Sequence, residues 1–148
     1  MEDNMNKIID SFTDKYAFLS NFAICTIEYE GRIFTSVESA FQSAKCLCSL
    51  DKDDFQHMSP REAKKRGRRV ALRHDWEDVK FSIMEDLLKR KFSIPKFREL
   101  LLSTGDATLI EGNHWNDTIW GVCNGVGENN LGKLLMKIRE EIRSENRE

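Results

Sequence analysis

Proline is scarce in this sequence, and its two copies, Pro60 and Pro95, stand where a helix would begin rather than inside one. No apolar run reaches the length of a membrane-spanning helix, and the polar, acidic start from Met1 to Lys7 does not lead into the apolar segment of a secretory signal. A cytoplasmic protein with no membrane attachment is therefore expected. The four cysteines (Cys25, Cys46, Cys48, Cys123) include no CxxC pair, and the three histidines (His57, His74, His114) are scattered. Zinc-ligand spacing is thus missing, so buried reduced thiols and no bound metal are expected. Repeats and low-complexity segments are missing as well. Positive charge is not in excess: 23 Lys and Arg against 25 Asp and Glu leave a net charge of -2, with a pI near 6.0. That balance argues against a protein that coats nucleic acid through its whole-molecule field, and leaves only local contacts with nucleotides.

What is present is the composition of a folded globule, 40% hydrophobic and 32% charged over 148 residues. That length suits one domain over residues 1–148, with one sizeable core, no linker, and fraying at about 1–8 and 144–148. The stretch Ile24 to Thr35 is rich in β-branched and aromatic residues and has Glu30-Gly31 in its middle, which predicts a short hairpin. Thr35-Ser36-Val37-Glu38 and Ser59-Pro60-Arg61-Glu62 both match a capping box, and predict helices near 36–48 and 60–66. Asp75 is the expected N-cap of the strongest helix, whose Trp76, Val79, Ile83, Met84, Leu87 and Leu88 form a core stripe. Pro95 opens another short helix closed by Thr104-Gly105, Ala107 to Glu111 reads as a strand, and a last helix is predicted from about Leu131 to Arg143. The fold class read from this order is α+β, mainly helical with a small β component.

Three features carry candidate chemistry. At 100° per residue, Ala40, Phe41, Ala44, Leu47 and Cys48 share one apolar arc with Val37, and Glu38, Gln42 and Lys45 line up beside it. A carboxylate, an amide and an ammonium at the border of a core are placed where desolvation tunes pKa values. The competing structural role for Glu38 is the third position of the capping box, bonded to the Thr35 backbone. The second feature is the run from Trp120 to Lys133, with Gly121, Gly125, Gly127 and Gly132, which feeds into the last helix. It is either a phosphate cradle of backbone N–H groups or a glycine-rich turn. It fits neither common nucleotide motif: Leu134 replaces the hydroxyl of a P-loop, and Asn130 replaces the third glycine of a dinucleotide fingerprint. The third is the basic cluster Arg61, Lys64, Lys65, Arg66, Arg68, Arg69 and Arg73, mostly a solvated face, from which one or two side chains can reach a phosphate.

Read in order, Leu19-Ser20-Asn21-Phe22, Ser36-Val37-Glu38-Ser39-Ala40-Phe41-Gln42-Ser43-Ala44-Lys45, Ala63-Lys64-Lys65-Arg66-Gly67-Arg68, Trp76 with Met84, and Lys91-Phe92 resemble the NADAR or YbiA-like family. Thr104-Gly105, Leu109-Ile110-Glu111, Asp117-Thr118-Ile119-Trp120-Gly121 and Asn130-Leu131-Gly132-Lys133-Leu134-Leu135-Met136 extend the likeness over nearly the whole chain. The resemblance implies an N-glycosidase with no obligatory cofactor. Its implied substrates are phosphoribosylamino-pyrimidines of riboflavin synthesis, or ADP-ribose attached to guanine, including guanine in nucleic acid. It also implies Glu38 and Lys45 as catalytic residues, with Asn21, Gln42, Trp76, Asp117, Trp120 and Asn130 around the substrate; Arg68 of the basic cluster and Gly121 of the glycine-rich run are further substrate-binding candidates. No obligate protein partner is implied. A module that binds ADP-ribose or a nucleotide without cleaving it is the alternative.

Overall fold

The computed structural model describes residues 7–147. In chain order it contains β1 (Ile8–Ile9), β2 (Ile27–Tyr29), β3 (Arg32–Phe34), α1 (Val37–Ala44), α2 (Ser49–Asp54), α3 (Pro60–Arg66) and α4 (Trp76–Lys91). Then follow α5 (Pro95–Ser103), β4 (Thr108–Leu109), β5 (Gly112–Asn113), β6 (Val122–Cys123) and α6 (Asn130–Asn146). The strands make three two-stranded sheets, β1 with β4, β2 with β3 and β5 with β6, so the fold is α+β with helix predominant. The chain divides into two compact units, Asn21–Ser93 and Met1–Ser20 with Ile94–Glu148.

In the unit Asn21–Ser93 the hairpin forms as expected, with Ile27 opposite Phe34 and Tyr29 opposite Arg32. Glu30 and Gly31 both take positive φ, 52° and 76°, the backbone a two-residue hairpin loop requires. Pairing alternates, so Ile27 and Phe34 are buried while Glu28 and Ile33 face out. α1 starts one residue later than its capping box predicts. Ser36 is the N-cap, its Oγ accepting the Ser39 N–H at 3.0 Å, and every residue from Val37 to Ala44 is buried.

α1 also ends earlier than the 36–48 expected, because neighbours from another segment take its last carbonyls. Arg73 donates its backbone N–H to Lys45 O at 2.9 Å and a guanidinium N–H to Ala44 O at 3.3 Å. Cys46 pairs with Leu72 in an isolated antiparallel bridge. With those carbonyls satisfied from outside, the helix can stop without an orphaned end. Leu47, expected on the apolar arc, is consequently 51% exposed. Cys48 is exposed too, a correction to the expectation of four buried thiols, while Cys25, Cys46 and Cys123 are buried and all four are free. α2 follows, a helix that the apolar spacing does not reveal.

α3 keeps its whole capping box: Ser59 Oγ accepts the Glu62 N–H at 3.2 Å and Glu62 Oε1 accepts the Ser59 N–H at 3.3 Å. α4 carries the predicted stripe, with Ile83, Met84, Leu87 and Leu88 buried. Asp75 stands at its N-cap position but does not cap with its side chain, because the carboxylate accepts Arg73 at 2.6 and 3.1 Å instead.

Lys91, at the end of α4, is fully buried, and burial pushes its ammonium down to about 8. With a folded pKa below the ordinary lysine value, the native chain binds fewer protons than the unfolded chain between about 8 and 10.5. Stability from this group therefore grows as pH rises through that window. Lys91→Met should remove the rise: urea unfolding at pH 7 and pH 10 should show wild type gaining on the variant at the higher pH. A stability difference that stays constant with pH would overturn this account.

In the second unit β1 and β4 pair in parallel, Ile8 with Thr108 and Ile9 with Leu109. The strand expected over 107–111 is thus only two residues long, since the Gly112 N–H turns back to Ile110 O. α5 begins at Pro95 and closes at Thr104 and Gly105, the latter at φ 60°. α6 buries Leu131, Leu135, Ile138 and Ile142 along one face, and its buried Arg139 donates to Thr104 Oγ1 at 2.8 Å. It runs to Asn146, through residues expected to fray; the fraying expected at 1–6 and at 148 lies outside the described residues.

Candidate active site

Two polar side chains of α1, Glu38 and Gln42, and Lys45, the residue that ends it, form the core of the candidate site. Ser36 does the capping, so Glu38 stands at the second helical position rather than the third. The residue is only 8% exposed, and its carboxylate accepts the Gln42 amide N–H at 2.6 Å. The Glu38 backbone N–H is held by Asn21 O at 3.0 Å, which ties the Asn21 loop to the first turn of α1. Asn21 in turn places its side-chain amide 3.7 Å from Met84 Sδ. Two carbonyl oxygens in this group, Asn21 Oδ1 and Gln42 Oε1, are buried without a hydrogen-bond donor among the described residues. Unsatisfied buried acceptors carry a free-energy penalty, and a functional role is one of the reasons a fold retains them.

Lys45, at the C-terminal end of α1, donates to Gly67 O at 3.2 Å. Burial lowers its pKa, Glu38 pulls it partly back, and the Arg68 guanidinium pushes it down again. The result is an amine more readily neutral than an ordinary lysine, coupled to a buried carboxylate seven residues away on one helix face. Arg68 itself is exposed. Trp76 is buried, its ring 4.9 Å from that of Phe41 at a tilt of 53°, so it packs on the apolar arc of α1, beside which Glu38, Gln42 and Lys45 line up.

Gly67 has a role that the sequence reading does not assign to it. Ala63 and Gly67 are the small buried residues of α3 and its end, and a methyl group on Gly67 would overlap the Gln42 side-chain carbonyl. Gly67→Ala is therefore expected to push Gln42 off Glu38 and lower kcat/KM by about 10- to 100-fold, since small misplacements at a reacting group are costly. The thermal midpoint should fall only a few degrees. Unchanged kinetics in the folded variant would show that Gln42 does not need this packing. The signal was available in principle: a glycine at the end of a capped helix within a basic run.

The other candidate residues lie in the second unit and are knit into one loop. Asp117 Oδ1 accepts the backbone N–H groups of Ile119 at 3.1 Å and Trp120 at 2.9 Å, while Asn113 Nδ2 donates to Asp117 O at 2.9 Å. Trp120 is half-buried and Gly121 buried, and a side chain at Gly121 would strike Glu111. Asn130 donates its side-chain amide to Ile119 O at 2.7 Å.

At the start of α6 the glycine-rich run does not offer the phosphate cradle that was one reading of it. The N–H groups of Glu128, Asn129, Asn130 and Leu131 donate to the carbonyls of Thr118, Gly121, Ile119 and Trp120 respectively, at 2.8 to 3.3 Å. Asn129, at φ 55°, uses both ends of its amide on Glu111 N and Leu109 O. The start of α6 is thus engaged by its own loop, and Gly121, Gly127 and Gly132 allow close backbone approach, while Gly125 supplies a positive φ of 78°. Among the described residues no three His, Cys, Asp or Glu side chains converge as metal ligands, and no helix is long and apolar enough to cross a membrane.

Comparison with known proteins places the whole chain. The family model described as the NADAR domain matches residues 9–143. The N-glycosidase YbiA of Escherichia coli K12 is 37% identical over 137 residues, covering 89% of this chain and 85% of that protein. A riboflavin biosynthesis protein of Vibrio vulnificus is 33% identical over 135 residues, which cover 87% of this chain but 36% of that longer protein. The NMR structure of E. coli YbiA superposes with a TM-score of 0.86 at 35% identity, over 99% of this chain and 91% of that one. The chain belongs to the NADAR family.

Proposed function

We propose that this N-glycosidase cleaves the bond between a nitrogenous base and C1′ of a phosphorylated ribosyl or ADP-ribosyl group, with Glu38 and Lys45 as its catalytic pair. The observation that carries this reading is buried Glu38, its carboxylate held by Gln42 at 2.6 Å and paired electrostatically with a half-buried Lys45. Loss of the base leaves positive charge on the sugar, which a nearby carboxylate stabilises. The N-glycosidase relative argues against a module that binds without cleaving, and the two units together serve as one NADAR-type domain.

For a base joined through an amino group, the chemistry balances without a cofactor. The furanose ring opens as O4′ takes a proton from the Glu38 carboxyl group, which recovers it at the end of the cycle, and C1′ becomes an iminium. Neutral Lys45 Nζ adds to C1′, Glu38 carries the proton from Lys45 to the departing nitrogen, and the base leaves as its free amine. Water then adds to the Lys45 imine, and collapse of that adduct returns the amine and the sugar aldehyde, which recloses. Asn21, Gln42 and Arg68 border this pair and are the binding residues of its unit, while Asp117, Trp120, Gly121 and Asn130 shape the second group. Trp76 supports α1 from its apolar side.

The name of the Vibrio relative favours a phosphoribosylamino-pyrimidine as the first compound to test, with ADP-ribosylated guanosine and an ADP-ribosylated oligonucleotide next. Incubation with these, and with NAD and ADP-ribose, should release free base from at least one, read by mass spectrometry. No base from any of them would overturn the proposed substrate class.

A further inference from the structure

Asn21 and Gln42, both in the unit Asn21–Ser93, are polar residues buried nearly as deeply as the core, 9% and 7% exposed. Neither side-chain amide is fully used. That of Asn21 donates only to the Met84 thioether at 3.7 Å, a weak acceptor, and that of Gln42 donates to Glu38 Oε2 at 2.6 Å. Their carbonyls, Asn21 Oδ1 and Gln42 Oε1, meet no hydrogen-bond donor among the described residues. Two orphaned acceptors in one small group are costly, and both belong to residues that hold Glu38. Asn21 does so through its backbone carbonyl, on the Glu38 N–H at 3.0 Å, and Gln42 through its amide. A ligand drawn to Glu38 thus meets two acceptors that lack a donor, beside a carboxylate that also accepts.

A phosphate is itself built of acceptors, so it gains nothing from these carbonyls and is repelled by the carboxylate. The N–H donors of a guanine lie on its six-membered ring, away from the glycosidic bond. A ribose ring instead presents two O–H donors on neighbouring carbons, and the first of those carbons is bonded to C1′, where Glu38 acts. We infer that Asn21 and Gln42 read the cis-diol of the ribose: Gln42 Oε1, tied to the Glu38 carboxylate, accepts from the 2′-hydroxyl, and Asn21 Oδ1 accepts from the 3′-hydroxyl. This rests on the proposed function and deepens it, since it makes the enzyme selective for ribosyl over deoxyribosyl groups. A hydrogen bond to the 2′-hydroxyl strengthens as positive charge develops on the sugar, so the contact that binds the ribose also favours its reaction.

Equilibrium binding tests this without any turnover. Titration calorimetry on the full chain would compare GMP with its 2′-deoxy and 3′-deoxy counterparts. Wild type should bind GMP roughly tenfold more tightly than either deoxy nucleotide, the usual scale for one hydrogen bond to an otherwise unsatisfied buried group. In Gln42→Met, which keeps the chain length without a carbonyl, GMP and 2′-deoxy-GMP should bind equally while the margin over 3′-deoxy-GMP stays. Asn21→Leu should do the converse, erasing the 3′ margin and keeping the 2′ margin. A merely structural role for either amide would weaken all three nucleotides alike and leave both margins in place. Should a variant fail to fold, the comparison of the three nucleotides on wild type still decides. A wild type that binds them equally or not at all, or folded variants that keep both margins, would overturn the inference. Failure of the glycosidase reading would instead appear as missing base release in the substrate panel.

Discussion

Glu38→Gln is expected to lower kcat by about 10²- to 10⁴-fold, the usual contribution of a positioned acid or base. That loss corresponds to about 3–5 kcal/mol of barrier. Substrate affinity should stay within about tenfold, because the amide preserves the side-chain volume and removes only the charge that matters as the base departs. A stability defect is a poor alternative explanation. Ser36 Oγ accepts the N–H of Ser39, the third helical residue, and Glu38 has no part in that bond, so the helix keeps this cap in the variant. Single-turnover kinetics with a saturating substrate, alongside thermal unfolding, separate the two effects. Turnover within threefold of wild type together with a lower unfolding midpoint would return Glu38 to a structural role.

Lys45→Arg should be nearly as damaging, at least about 10²-fold in kcat/KM. A guanidinium keeps the positive charge near Glu38 but cannot become a neutral nucleophile. Borohydride added during wild-type turnover should leave a reduced sugar adduct on Lys45, located by peptide mass spectrometry, and the arginine variant should show none. Because burial lowers the Lys45 pKa, the alkaline rise of kcat/KM should come below the ordinary lysine value, and it should vanish in the arginine variant. An active arginine variant, or repeated failure to trap an adduct under turnover, would reduce Lys45 to a positioning charge and leave Glu38 acting with an activated water.

Local signals were dependable where the chemistry of an element is local. The capping box at Ser59, Pro95 at the start of α5, the Glu30-Gly31 turn and the stripe of α4 all describe interactions among residues close in sequence, and each appears in the fold. The alignment of Glu38, Gln42 and Lys45 was legible for the same reason, since helical spacing alone brings them to one side. Where distant residues compete, the signal failed. Thr35 looked like a cap until Ser36 took the bond, Asp75 looked like one until Arg73 claimed its carboxylate, and α1 looked longer until Arg73 satisfied its last carbonyls. The glycine-rich run had the composition of an anion cradle, but composition does not say whether the N–H groups already have acceptors.

The sequence by itself determined the α+β class, most helix positions, the likeness to the NADAR family and the line of polar residues on α1, because propensity, capping and periodicity act over a few residues. Only the tertiary structure decided that Glu38 is freed from capping and buried beside Gln42, that Gly67 leaves room for that amide, and that the loop around Asp117 consumes the N–H groups before α6. These outcomes depend on which donor meets which acceptor across the fold. A hydrogen bond or a desolvated charge takes its energy from partners in space, and such partners are invisible in the order of residues along the chain.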